Sequence, residues 1–220
     1  MISYRSSSSI DSYLQQVRLG VENGKNMPDI AAALAVFGFD TVKMDAGAAL
    51  LAAAEDLQAV QKREYGEQFA ATSALNEALR TADKIYSTHR KLAKLALRDE
   101  PETQAALLVH ERKRETLDSW LGQAGVFYKN ALGDADVLAA LGQYNITEPI
   151  LTDGQTAVVS VATLNAAQEK EKSDAQKATK TRDAALDALD EWYVEFRTLA
   201  RIALENDSQR LEALGLGAVA

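Results

Sequence analysis

The residues able to do chemistry in this chain are few. It has two histidines, His89 and His110, and no cysteine. Thiolate nucleophiles, disulfides and Cys-ligated metals are therefore excluded. A di-metal helical bundle needs a glutamate three residues before its histidine. Tyr86 precedes His89 at that spacing, and Leu107 precedes His110. The stretch "HERKR" at 110–114 lacks the second histidine of a zincin. His89 lies on an apolar helical seam and reads as a packed core residue. His110 lies among charges and reads as solvated.

A second set of polar residues recurs at a spacing of 107. Gln61 and Gln168, Glu64 and Glu171, Thr72 and Thr179, Asp83 and Asp190, and Arg90 and Arg197 are matched pairs. Glu64 and Glu171 are the weak metal candidates. Brought together by a pseudo-two-fold, two carboxylates can do acid–base work or hold a cation. The competing reading makes them polar flanks of a helical seam, and it prevails because no histidine or second carboxylate cluster supports a site. Asp83 and Arg90, seven apart, suit a charge pair flanking the seam. The basic runs "HRKLAKLALR" at 89–98 and "RKR" at 112–114 keep their apolar residues at helical spacing and read as solvated faces. Trp120, Phe127, Trp192, Tyr193 and Phe196 lie on amphipathic stretches and read as core. With no Gly-rich phosphate loop either, no catalytic residue and no cofactor is expected, and the chain leans away from being an enzyme.

The matched pairs belong to a longer echo. Residues 10–109 set against 117–216 without a gap give 27 identities in 100 positions. Shared Ala and Leu content does not hold one register for that distance. The expectation is an internal duplication. Its parts are an N-terminal tail 1–9, a repeat 10–109, a linker 110–116, a second repeat 117–216 and a tail 217–220. Two repeats are too few for a solenoid, so they are expected to share one core as one structural domain.

Each copy opens with two short helices, at about 9–23 and 28–37, then 116–131 and 135–143. Ser7 to Ser9 can cap the first by accepting from its free N–H groups. Pro28 suits a first helical turn, where its missing N–H costs nothing. A connection follows, with Pro149 barring helix in the second copy. Asp45 and Thr152 are aligned candidate N-caps. The long part then runs from about 46 to 98 and from 153 to 205, as one helix or as a hairpin. The single helix is preferred, because a hairpin turn near 66–73 or 173–180 would have only Gly66 or Asp174 to build it. In the second copy Leu186, Leu189, Tyr193, Phe196, Ala200 and Ala203 form a 3-4 heptad seam. Carried back through Arg182, Thr179, Ala175, Lys172, Gln168 and Asn165, that seam is almost all polar. Antiparallel long helices would set one polar middle against the other, in a body packed at both ends and wet at the waist. Asp99 with Glu102, and Asn206 with Gln209, have capping-box spacing for short closing helices at 101–109 and 208–214. Gly215 or Gly217 can supply the left-handed cap after the second.

The expected class is thus all-α: an elongated helical bundle with internal pseudo-two-fold duplication, of long coiled-coil-like antiparallel helices plus short ones. The net charge of −8 argues against nucleic-acid and anionic-membrane binding, which both need a positive footprint. The opening "MISYRSSSSIDS" is no secretory signal, and no apolar run is long enough to span a bilayer. A soluble, cytoplasmic protein is expected.

The segment 175–216 carries Trp192, Tyr193, Glu195 and Phe196, then "ARIALE", then "LEALGL". It resembles the closing segment of a group of uncharacterised bacterial all-helical proteins with no established function. The resemblance implies a bacterial origin and an all-helical fold, and implies no activity. The leading functional expectation is a structural or protein-interaction bundle, with a protein partner or self-association. The alternative is a small-molecule or metal-binding bundle, enzymatic or not, with a pocket between the repeats.

Overall fold

The computed structural model describes residues 9–217, which form eight helices and no strand. They are α1 (Ile10–Asn26), α2 (Pro28–Val36), α3 (Thr41–Ala96), α4 (Pro101–Ala106), α5 (Leu117–Leu132), α6 (Ala135–Gly142), α7 (Glu148–Ala203) and α8 (Ser208–Ala213). The helix order repeats. Lengths of 17, 9, 56 and 6 residues are followed by 16, 8, 56 and 6. The long segments are single helices, not hairpins.

Local chemistry sets the helix starts. Ser9 caps α1, its Oγ accepting from the Ser12 N–H at 3.0 Å. Ser7 and Ser8 lie outside the described residues. Asp134 caps α6 through the N–H groups of Asp136 and Val137. The long helices begin earlier than the sequence suggests. Asp40 is the N-cap of α3, its carboxylate accepting from Lys43 N at 3.1 Å. Its counterpart Thr147 accepts the Leu151 N–H at 3.0 Å to open α7. Pro149 therefore sits inside α7 rather than barring it. It lies in the first turn, whose N–H groups have no intrahelical partner to lose. The proposed caps Asp45 and Thr152 fall within helix, where the Thr152 hydroxyl donates to Glu148 O. The proposed closing caps are displaced too. Glu100 precedes α4, and Asp207 caps α8 by accepting from Arg210 N at 3.0 Å. Arg210 also pairs with Asp207, which holds the cap one residue beyond Asn206.

The turns close by left-handed residues at matching places. Positive φ occurs at Gly38 and Asn145, and at Leu108 and Gly215. Each pair is 107 apart. Phe39 and Ile146 return an N–H to Leu34 and Leu141, both at 3.1 Å. Leu216 does so to Leu211 at 2.8 Å, so Gly215 is the expected left-handed cap. At Leu108 a residue with a Cβ takes the same conformation, at a cost of about 1 kcal/mol.

The chain divides into two compact units. Among the described residues one comprises 9–65 and 174–217, the other 66–173. Each takes helices from both halves of the chain, and each has its own core. In the first unit, α1, α2, α8, the opening of α3 and the end of α7 bury Tyr13, Leu34, Phe39, Leu189, Tyr193 and Phe196. In the second, the end of α3, α4, α5, α6 and the opening of α7 bury Tyr86, Trp120, Phe127, Tyr128, Leu141 and Leu151. Two apolar clusters result, one in each unit. The polar stretch of the long helices is the reason: Asn165, Gln168 and Thr179 are only half-buried, and Lys172 is exposed. Along the seam Leu186, Leu189, Tyr193, Phe196 and Ala200 are buried.

Within each unit α3 and α7 pack together, and close approach is needed. In the first, the indole of Trp192 lies across Gly47, where a Cβ would collide with it. The indole N–H donates to Lys43 O at 3.0 Å, and Phe196 stacks on the ring at 5.2 Å. In the second, Gly154 stands at the matching position, but its open face receives Tyr128 from α5. The same slot is filled by aromatics from different helices, and only glycine leaves room for either.

Candidate functional site

The matched acids Asp83 and Asp190 do the same job in the two units. Asp190 accepts from the Tyr13 hydroxyl at 3.0 Å. Asp83 accepts from the indole N–H of Trp120 at 2.8 Å, and Tyr13 and Trp120 are themselves 107 apart. Each acid anchors the tip of a buried aromatic from the other half of the chain: Tyr13 on α1 and Trp120 on α5. Asp83 does not pair with Arg90. It pairs with Lys113 at 2.8 Å, while Arg90 donates to the carbonyls of Val109 (3.2 Å) and Glu111. Arg197 is buried over the Tyr193 ring, 5.9 Å from its centroid.

His89 is packed in the second core, as its place on the seam suggests. Its Nδ1 is 3.0 Å from the Tyr128 hydroxyl. Burial holds its pKa below the usual imidazole value, and burial first pushes Tyr128 up. His110 is exposed. Tyr86 and Tyr193, a further matched pair, are fully buried, and burial pushes each up to about 12.

The metal candidates are placed as follows. Glu171, half-buried on α7, accepts from Lys170 at 3.1 Å. Within the second unit a carboxylate oxygen of Glu67 comes within 4.8 Å of one from Glu171. Glu64 lies one turn before Glu67 on α3, half-buried, and accepts from Arg63 at 2.9 Å. Glu67 escapes a comparison by identity because its counterpart is Asp174. Exposed carboxylates gather readily on polar helices.

Two surface clefts are lined by charged residues. In the second unit a cleft of about 370 Å³ lies beside Trp120, lined by Arg80, Asp83, Lys113, Arg114 and Glu115. Its cations are already matched: Arg80 to Glu77, Lys113 to Asp83 and Arg114 to Glu111, at 2.7–2.8 Å. In the first unit a cleft of about 300 Å³ between α1 and α3 has Lys62 on Asp11 at 2.8 Å and Arg18 on Glu55 at 2.7 Å. Both clefts are lined by paired charges, an arrangement typical of a solvated surface.

No family model, no curated protein and no solved structure matches this chain.

Proposed function

We propose that this chain is a non-enzymatic structural or protein-interaction module that presents helical corners to a protein partner. The observation that carries this reading is a set of exposed apolar residues at equivalent corners of the two units. At the α2–α3 corner Val36 is 78 % exposed, Phe37 45 % and Val42 74 %. At the α6–α7 corner Tyr144 and Ile150 are each 39 % exposed. Apolar groups gathered in water favour a partner that covers them. Among the described residues no helix is long and apolar enough to cross a membrane. A cytoplasmic setting and the bacterial group named above belong to the same proposal.

We also propose that the chain arose by duplication of a segment of about 100 residues. Supporting this are the four left-handed residues at matched positions and the pairing of buried positions, such as Ile30 with Val137 and Ala93 with Ala200. On this reading Tyr144 and Ile150 are the second unit's version of one ancestral docking corner.

A photo-crosslinker placed at Val42 in living cells tests the interaction reading. The expected result is one discrete protein adduct, lost when Val36→Ser and Phe37→Ser are added. The metal-binding alternative predicts instead that Ca²⁺ or Mn²⁺ raises the melting temperature, since a ligand of the native state stabilises it by RT ln(1 + [L]/Kd). A metal-dependent rise abolished by Glu67→Gln, with no adduct at the corner, would replace the interaction reading.

A further inference from the structure

The charge of this chain is unevenly placed on two equivalent faces. In the second unit the outward stripe of α3 reads Lys84, Thr88, Lys91 and Leu95, with Arg98 in the turn that follows, all exposed, and Lys94 beside it. In the first unit the matching stripe of α7 reads Glu191, Glu195, Thr198 and Ile202, with Glu205 in the turn that follows, all exposed, and Arg201 beside it. Residue by residue these are the same positions, 107 apart. One stripe carries three positive charges and the other three negative. Both place an apolar residue at the same step: Leu95 and Ile202 are each 48 % exposed.

Within its own helix each stripe is self-repelling. Lys91 and Lys94 are separated by three residues within α3, and Glu191 and Glu195 by four within α7; like charges at those spacings destabilise a helix. Intramolecular neutralisation is slight. Arg98 contacts Asp99, and Glu195 contacts Lys43 across a bridge whose two side chains are about half exposed. These pairs are too open to water to hold their charges tightly. A surface of opposite sign with an apolar residue at its middle would relieve the repulsion and cover Leu95. The chain itself offers one.

We propose that a second copy of this chain is the partner of each stripe: the basic stripe of α3 in one copy docks on the acidic stripe of α7 in another. Aligned in parallel, Lys84 meets Glu191, Leu95 meets Ile202 and Arg98 meets Glu205. The contact joins two different surfaces, so it is heterologous. It uses neither apolar corner described above and stands or falls independently of the partner proposed there.

Sedimentation velocity on the full chain tests it. In low salt the mass should rise with concentration. The rise should disappear near 1 M salt, where the Debye length is about 3 Å. The variants Lys84→Glu/Lys91→Glu and Glu191→Lys/Glu205→Lys change only exposed helix positions; circular dichroism confirms that they fold. Each alone should stay monomeric, because its two stripes now carry the same sign. Mixed, they should associate again, since one supplies stripes of net negative sign and the other stripes of net positive sign. A wild-type chain that stays monomeric in low salt overturns the proposal. So does association that both variants retain. A monomeric chain whose basic stripe binds a duplex oligonucleotide, lost in Lys84→Glu/Lys91→Glu, overturns it in favour of nucleic acid.

Discussion

His89 stands where the other unit has Phe196, and its neighbourhood is otherwise aromatic: Tyr86, Phe127 and Tyr128 surround it in the same core. The imidazole is tolerated there because Tyr128 meets its Nδ1. The consequence is a pH dependence. Unfolded, the ring titrates near its ordinary 6.5; folded, burial lowers that value. Between the two values the unfolded chain binds more protons, so acid favours unfolding. The contribution of the neutral ring is complete above pH 6.5 and is lost as the pH falls to the folded value. The slope there is at most about 1.4 kcal/mol per pH unit. His89→Phe, which copies the other unit, should flatten the urea midpoint between pH 7 and 5 relative to wild type. An identical pH profile would mean that His89 charges freely in the folded state.

At the scale of the element, glycine separates two effects that usually mix. Gly47 lies in α3 under the Trp192 indole, and Gly125 lies in α5 with open space where a Cβ would be. Alanine is preferred to glycine inside a helix by about 1 kcal/mol. Gly125→Ala should therefore stabilise the protein by roughly 0.5–1 kcal/mol. Gly47→Ala gains the same helical preference but drives a methyl into the indole, an overpacking that costs typically 1–3 kcal/mol, and should destabilise. Urea midpoints of the two variants should move in opposite directions; a shared direction would show that the indole slides aside.

The elements themselves were largely legible. Apolar spacing of three and four residues marks the longer helices, and the scarcity of turn-formers near 66–73 and 173–180, where only Gly66 and Asp174 occur, marks two of them as single long helices. What was misread is where those helices start. Asp40 and Thr147 are better caps than Asp45 and Thr152 because Phe39 and Ile146, just before them, are buried and fix the chain's entry. Pro149 looks like a barrier unless the helix has already begun at Glu148. The bonds from Tyr13 to Asp190 and from Trp120 to Asp83 were half legible. Their acids recur visibly, but nothing in the spacing says that the donor lies 177 residues away in one case and 37 in the other.

For the whole molecule, the two halves of the sequence and the units of the structure are different divisions. Residues 10–109 supply α1, α2 and the opening of α3 to one core, and the end of α3 and α4 to the other. Periodicity along one chain reports which residues are buried, not which partner buries them, so this exchange is invisible in the sequence. It has a consequence for folding. A fragment of residues 1–109 keeps Tyr13, Leu34 and Phe39 but loses Leu189, Tyr193 and Phe196, their partners in the first core. It keeps Tyr86 but loses Trp120, Phe127 and Tyr128 from the second. Half of each apolar cluster is then open to water, and long helices without tertiary packing are marginal. The fragment should show much less helix per residue than the full chain by circular dichroism when dilute. Raising its concentration should restore helix together with a doubling of mass, because a second copy presents Tyr86, in place of Tyr193, to the exposed half-core. A fragment that is fully helical and monomeric when dilute would show that one repeat can bury its own apolar face, contrary to the division of the cores described here.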